Sequence, residues 1–461
     1  MRPRLFVVAL ATLLAASGCA LGATSAPAPT SAPPPEPPSE PSLDTTEVAA
    51  CPGWEPASRD WFALDEAPGG GGVEGLEAVF ALPASSAARY NTLVEVCDDL
   101  WWVLNHQGET RFIETTSARW SVGPVVAPSG STEQIAAAGV SSGGPTWGFR
   151  DSTATDTDIV LSDGVIDTEG ECVRVDVHSL SREAVLASSA ERSLATRVIY
   201  QSTPCVSYRD SYRSEAPLRT HLGGALTYAP EQDAVFLTLG DFHLGASSLA
   251  QAAAIGLANT ERDYAVLADP ASAVGAIVQI PLAGDEPRIV AKGVRNSLGI
   301  TTTSTGELWF SDHGPSGGDE LNLFAEGAKY GWPFTTEGEP YDRSSWPADP
   351  NELLAAFLDN SKRDIPGATP PVTWWTPAIA PTAVVELSRS SGEPGLLVIG
   401  GLRSEALVVL ERDGGTVSER TRVRLGERVR DVGLSGTGSS LLALTDSATL
   451  WVFDPQALLQ R

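Results

Sequence analysis

A β-propeller is the fold class the sequence predicts, and three observations predict it. Short apolar runs recur along the chain, among them "LWWVLN", "DIVLSDG", "CVRVDVHSL", "AVFLTLGD", "ELWFSDHG", "GLLVIGG" and "TLWVFDP". Most end at Gly, Asp or Asn, the punctuation of strands. Long helical periods are scarce: "SSLAQAAAIGLA" near residue 250 and "NELLAAFLDN" near residue 355 are the two candidates, read as insertions between strands. Finally, "GELWFSDHG", "DAVFLTLGD" and "SLLALTDSATLWVFD" share a turn, an apolar strand and a polar residue at the strand exit. Many short strands with similar exits suit small antiparallel blades around an axis. A two-sheet sandwich is the alternative.

The segments ahead of these strands are of two other kinds. Residues 1–19 carry positive charge in "MRPR", then the apolar stretch "LFVVALATLLAA", then "SGC", which is the layout of a secretory signal. The apolar run is shorter than a membrane-crossing helix requires. Ser17 and Gly18 directly before a cysteine resemble the bacterial lipobox, which implies a lipid on Cys19 and a place on the outer face of the cell membrane. An ordinary signal peptide with an incidental cysteine is the alternative. Residues 20–50 are dominated by Pro, Ala, Ser and Thr, without apolar period. Such a segment buries too little apolar surface to offset its ordering entropy, and its prolines favour an extended tether. Residues 51–461 are assigned to the propeller. They are too many for one ordinary core but suit repeated blades.

Cys51, Cys97, Cys172 and Cys205 follow the signal. An even count in an exported chain implies two disulfides, with three possible connectivities. No CxxC or Cys/His spacing points to zinc. The chain has 31 basic and 58 acidic residues, a formal charge of −27. That balance excludes nucleic acid as a partner, because phosphate contacts need clustered Lys and Arg. It favours solubility, and it makes any gathering of arginines worth explaining.

The candidate chemistry lies in a few stretches. Of the histidines, His106, His178, His243 and His313 read as surface or hydrogen-bonded side chains. His221 has more context, because "RTHLGGALTYAPEQDAVFLTLGD" sets it before one strand and sets Asp241 after the next. In a hairpin both return to one edge, where Asp241 would fix the imidazole tautomer and leave a general base. Arg428 and Arg430 in "GERVRDV" are two apart in a predicted strand and so share a face. A solvated charge stripe is the plain reading, and a fork for carboxylates is the functional one. Arg295 and Asn296 in "GVRNSLG" and Arg403 in "GGLRSEAL" extend this set. In "DHGPSGGDELN", Gly314 and Pro315 offer main-chain carbonyls, while Asp319 and Glu320 offer hard oxygens. Oxygen donors without sulfur favour calcium, against a polar loop closed by Asx turns.

These stretches also carry a family signature. "GVRNSLGI" and "GELWFSDHGPSGGDELNLFAEGAKYGWP" resemble the glucose/sorbosone dehydrogenases, the soluble quinoprotein sugar dehydrogenases. Three further blocks fall in family order: "THLGGALTY" with "LTLGD", "WWTPAIAPTAVV" with "LLVIGGLRSEALVVL", and "GERVRDVGLSGTGSSLLALTD". The resemblance covers roughly residues 215 to 455. It implies a six-bladed β-propeller that binds pyrroloquinoline quinone and calcium. It further implies His221 as base, Asp241 as its orienting carboxylate, and Arg295 and Asn296 beside the quinone carbonyls. Arg403, Arg428 and Arg430 would bind the cofactor, and Trp375 would form a wall of the sugar pocket. Main-chain oxygens of Gly314 and Pro315 would ligate the active-site calcium, and Glu320 with the main chain at Tyr330 a structural one. The sequence departs from the pattern in places. Val294 replaces a histidine, Arg403 a lysine, and "GVSSGGPTWGF" lacks the glutamine of a Q-x-G-L-L-G block.

The reading is an exported, lipid-anchored quinoprotein that oxidises the C1 hydroxyl of aldoses to lactones and hands electrons to an acceptor the sequence does not identify. A non-catalytic propeller binding a sugar or protein partner is the alternative. A calcium-dependent hydrolase on a propeller would use the acidic loop without needing the arginines.

Overall fold

The computed structural model describes residues 60–460 except 69–70, 74, 84–88, 128–147, 189–191, 208–220, 243, 245–265, 316, 333–335, 339–366, 389–394 and 414–415. The signal, the tether, Cys19, Cys51 and both candidate helices lie outside the described residues.

The strands form six antiparallel sheets of four or five strands, plus a two-stranded parallel pair. They are the blades of a six-bladed β-propeller. From first to sixth, the blades begin on the strands Tyr90–Cys97, Gly148–Ala154, Gly223–Ala229, Gly299–Thr302, Pro381–Leu387 and Val429–Leu434. Each of these packs against the corresponding strand of the blades on either side, so together they make a closed inner ring. The later strands of each blade step outward. Leu76–Ala81 closes the ring: it joins the sixth blade antiparallel to Thr449–Phe453, so the first and last parts of the described chain share one sheet.

The apolar runs do more than the sequence pattern suggests. Strands with one wet face alternate apolar and polar residues, whereas strands covered on both faces read as continuous apolar runs. Leu100–Asn105, "LWWVLN", is buried at every position. Trp102 and Leu104 enter the core between the first and second blades, and Trp101 and Val103 enter the core between the sixth and first. Leu396–Gly401 divides in the same way, with Leu396 and Val398 facing the sixth blade and Leu397 and Ile399 the fourth. Six apolar clusters fill the six interfaces between blades.

Polar bonds cross each interface as well. Asn91 Nδ2 donates to Phe149 O (2.7 Å), Ser162 Oγ to Gly224 O (2.5 Å) and Thr238 Oγ1 to Ser297 O (3.2 Å). Ser311 Oγ donates to Thr382 O (2.9 Å) and Thr382 Oγ1 to Val429 O (3.2 Å). The ring is completed where Leu93 N donates to Asp431 Oδ2 (2.8 Å). Each bond adds only about 1 kcal/mol, but an unpaired buried partner would cost more. Within the second blade Cys172 and Cys205 are disulfide-bonded. Cys97 is also disulfide-bonded.

Arg412 locks the fourth blade to the fifth. Its Nε donates to Gly395 O (3.0 Å), its Nη1 to Glu307 Oε2 (2.9 Å) and its Nη2 to Glu386 Oε1. Glu386 also accepts from Ser304 N at 2.6 Å. Arg412 and Glu386 are both 8% exposed, so Arg412→Ala strands a buried carboxylate. The expected cost is about 3–5 kcal/mol, read as a lower urea midpoint. Arg412→Ala with Glu386→Gln should recover part of it. A single variant with the wild-type midpoint would refute this account of the network.

Candidate active site

The inner strands start at one rim, and the ladder slips there. In the first, third, fifth and sixth blades the register between first and second strands shifts at Tyr90/Thr92, Gly223/Leu226, Pro381/Val384 and Val429/Asp431. In the second blade the shift falls opposite Arg150. A β-bulge of this kind re-aims the skipped residue. Of the residues skipped, Asn91, Arg150, Gly224, Ala225, Thr382 and Arg430 line one cavity of about 40 Å³, while Ala383 does not.

His221 precedes the strand Gly223–Ala229, and Asp241 follows its hairpin partner Ala234–Leu239. The hairpin brings His221 Nδ1 within 3.0 Å of Asp241 Oδ1. Asp241 is fully buried, and its Oδ2 accepts from Trp332 Nε1 at 2.8 Å. Gly240 allows this convergence. Phe242 N donates to His221 O, Asp241 N donates to Arg295 O, and a Cβ on Gly240 would fall 2.2 Å from the first of those oxygens. His178 also has a carboxylate near, Asp163 at 3.7 Å, but is only 2% exposed; the His221 side chain is 16% exposed. His313 is committed through Nε2 to Pro381 O at 2.6 Å.

Arg295 and Asn296 belong to the same corner. Their backbone N–H groups donate to the two oxygens of Asp312, at 2.8 and 2.6 Å. Burial, outweighing these bonds, pushes the Asp312 carboxyl up to about 7. The Arg295 guanidinium lies 5.1 Å over Trp332 and donates through Nη1 to His313 O at 2.9 Å. Gly223 N approaches Asn296 Oδ1 at 3.4 Å.

Across the rim, Arg428 and Arg430 converge on a partner absent from the sequence reading. Asp446 accepts from Arg428 Nε at 2.9 Å and Arg430 Nε at 2.8 Å, and pairs with Arg89 Nη1 at 2.9 Å. Burial alone would raise this carboxyl, but Arg430, Arg428 and Arg89 outweigh it and hold it below the usual range. Arg89 is itself pushed down by burial and by the charge of Arg430. Among the described residues one carboxylate thus serves three guanidiniums. Arg403 is exposed on the turn after Leu396–Gly401, where Arg428 Nη1 reaches Leu402 O at 3.5 Å. Arg150 donates from Nε to Gly223 O at 2.6 Å.

The loop from Asp312 to Asp319 corrects part of the sequence reading. Asp319 is no free ligand: its Oδ1 accepts from Gly314 N (3.0 Å) and its Oδ2 from Ala380 N (2.6 Å). It closes the turn, as an Asx cap does. Glu320, Gly314 and Tyr330 line a cavity of about 10 Å³ together with Asp312. Burial pushes the Glu320 carboxyl up to about 8, and Asp312 and Glu337 add to the rise. Among the described residues, no group of three or more His, Cys, Asp or Glu side chains is placed to hold a metal. A cation site here would lean on main-chain oxygens. The structure places the Trp375 ring in the core between the fourth and fifth blades, and its Nε1 donates to Glu419 Oε2 at 3.3 Å. The exposed indole on that strand is Trp374, 48% exposed.

Comparison with known proteins agrees with this architecture. The family model described as Glucose / Sorbosone dehydrogenase matches residues 183–451. An aldose sugar dehydrogenase of Escherichia coli is 31% identical over 171 residues, 36% of this chain and 43% of that protein. Quinoprotein glucose dehydrogenase B of Acinetobacter calcoaceticus is 27% identical over 175 residues, 34% of this chain and 35% of that protein. The chain therefore spans less than half the length of these relatives. Among solved structures, the apo soluble aldose sugar dehydrogenase of Escherichia coli superposes with TM-score 0.55 at 20% identity, covering 79% of this chain and 95% of that one. The PQQ-bound aldose sugar dehydrogenase of Streptomyces coelicolor gives 0.51 at 17% identity, covering 82% and 98%.

Asp446→Asn tests the arginine cluster. The folded carboxyl lies below its unfolded value of about 3.9, so its stabilisation is complete above that pH and lost as pH falls further. At pH 7 the variant should be about 1–3 kcal/mol less stable, with the gap in Tm closing towards pH 3. A gap that is constant with pH would contradict the ion-pair account.

Proposed function

The chain belongs to the glucose/sorbosone dehydrogenase family, and on that premise we propose that it oxidises aldose sugars at the C1 hydroxyl to lactones, with pyrroloquinoline quinone as cofactor. The observation that carries this reading is the meeting, at one rim, of a supported histidine and an excess of guanidinium charge. Three arginines around one carboxylate, in a chain of formal charge −27, fit a ligand that brings several carboxylates. The donor set therefore suits the tricarboxylate quinone, with Arg428 and Arg430 holding its carboxylates and Arg403 near them. Arg295 and Asn296 would face its carbonyls.

When bound, the quinone supplies the acceptor for the hydride leaving the sugar's C1. The chain's own residues do the rest. Asp241 accepts both the His221 Nδ1–H and the Trp332 indole N–H, which fixes the ring and leaves Nε2 as the basic nitrogen. Nε2 takes the proton of the sugar's C1 hydroxyl. Arg295, placed over the Trp332 ring, stabilises negative charge developing beside it. Trp374, on the strand next to the Gly314 loop and exposed among the described residues, would meet a sugar ring.

Calcium fits as a second component. Gly314 and Pro315 would offer carbonyl oxygens near the cofactor, where the ion's charge would polarise a quinone oxygen. Glu320 and the main chain of Tyr330 would hold a structural ion, which would return the Glu320 carboxyl to its charged form.

His221→Ala should keep its fold and its quinone affinity while the rate of cofactor reduction by sugar falls about 10²–10⁴-fold, or roughly 3–5 kcal/mol of barrier. Asp241→Asn should cost less. Stopped-flow reduction of the preloaded quinone, with circular dichroism as the folding control, measures both. Reduction at the wild-type rate in His221→Ala would refute the mechanism. Chelation of calcium should abolish quinone binding and readdition should restore it; equal affinity with and without chelator would remove calcium from the proposal.

A further inference from the structure

Two stretches far apart in the sequence take the same form in the fold. "GFRD", ending at Asp151, starts the inner strand of the second blade, and "RVRD", ending at Asp431, starts that of the sixth. In each, the arginine is the residue the ladder skips. Ser162 pairs with Asp151 and Asp163 with Phe149, passing over Arg150; Val429 pairs with Thr445 and Asp431 with Leu444, passing over Arg430.

The two aspartates also do the same work. Asp151 Oδ2 accepts from Leu226 N of the third blade at 2.7 Å, and Asp431 Oδ2 accepts from Leu93 N of the first blade at 2.8 Å. Each also accepts from the N–H of the following residue, Ser152 and Val432, at 2.8 Å. With the aspartates bound to backbone, both arginines line the same cavity of about 40 Å³. Gly224 makes room for one of them. It has φ +98, and a Cβ there would fall 2.8 Å from Arg150 Cδ and Nε.

We propose that Arg150 is a second anion anchor, presented by the second blade as Arg430 is by the sixth, and that the two guanidiniums take separate carboxylates of one polycarboxylate ligand. The inference rests on the reading of that ligand as the quinone, and it adds a residue that the family resemblance does not assign. The electrostatics agree. After burial, the charge of Arg430 is the largest influence lowering Arg150, down to about 10, with Asp151 and Asp163 opposing it. An anion between the two guanidiniums would relieve that repulsion.

The test is direct binding. Pyrroloquinoline quinone is titrated into the apo protein in calcium buffer, followed by quenching of tryptophan fluorescence, with circular dichroism reporting the fold. Arg150→Gln and Arg430→Gln should each raise Kd at least about tenfold, or 1.4 kcal/mol. Arg150→Lys should fall between, keeping the charge but losing the planar fork. Added salt at about 0.5 M should weaken the wild type more than Arg150→Gln, because one screened cation is missing. An Arg150→Gln protein that binds within twofold of wild type, while Arg430→Gln does not, overturns this inference and leaves the proposed function standing. Wild-type protein that binds no quinone overturns both. Should Arg150→Gln be unfolded, Arg150→Lys decides: a Kd at least threefold higher supports the inference, and a smaller change refutes it.

Discussion

Trp101 and Trp102 are neighbours in one strand, yet their indoles fill different cores, one shared with the sixth blade and one with the second. That double burial is the constraint on which the molecule depends. A sheet with two apolar faces has no face to give to water, so each blade is stable only between two others. Four blades or five in an open arc would leave two such faces bare. The ring has to close, and the side-chain bonds from Asn91, Ser162, Thr238, Ser311, Thr382 and Asp431 fix how each blade sits against the next.

Closure also explains where polar chemistry collects. With both faces of every blade taken, functional side chains are left the strand ends and the positions the ladder skips. His221 and Asp241 use the first route, at the two ends of one hairpin. Asn91, Arg150, Thr382 and Arg430 use the second. A bulge lets a long charged side chain leave a strand whose ordinary positions face an apolar core. The site is therefore assembled from residues of every region of the described chain without disturbing any of the six cores.

Much of this was legible in the sequence, for identifiable reasons. Strand runs and their exits are local, and a hairpin is the shortest long-range relation, so His221 with Asp241 could be inferred from one stretch of sequence. Arg428 and Arg430 were visible because they are two residues apart. Arg89, Arg150 and Asp446 were not, because they reach the rim from other blades or later turns and carry no spacing signal. The repeated Arg-Asp pair was a usable signal that only the register makes meaningful. Asp319 looked like a ligand because a carboxylate that caps backbone N–H groups has the same sequence appearance as one that binds a cation. Trp375 and Trp374 are adjacent and alike; which one is buried depends on the neighbouring blade.

The placement of Leu76–Ala81 in the last sheet has a consequence for how the chain is made. Its partner strand, Thr449–Phe453, is synthesised after all the other strands of the described chain. The sixth blade therefore cannot form until Thr449–Phe453 has emerged, and until then the first and fifth blades each keep an uncovered apolar face. A pairing between strands so far apart in sequence is a non-local contact, which places this step late in folding. During that interval the nascent protein is a set of adhesive, half-covered sheets, open to capture by chaperones or by its own copies. The same circularity gives the finished ring its resistance to fraying: neither Leu76–Ala81 nor Thr449–Phe453 can peel away without baring apolar side chains that fill the seams on both sides of the sixth blade.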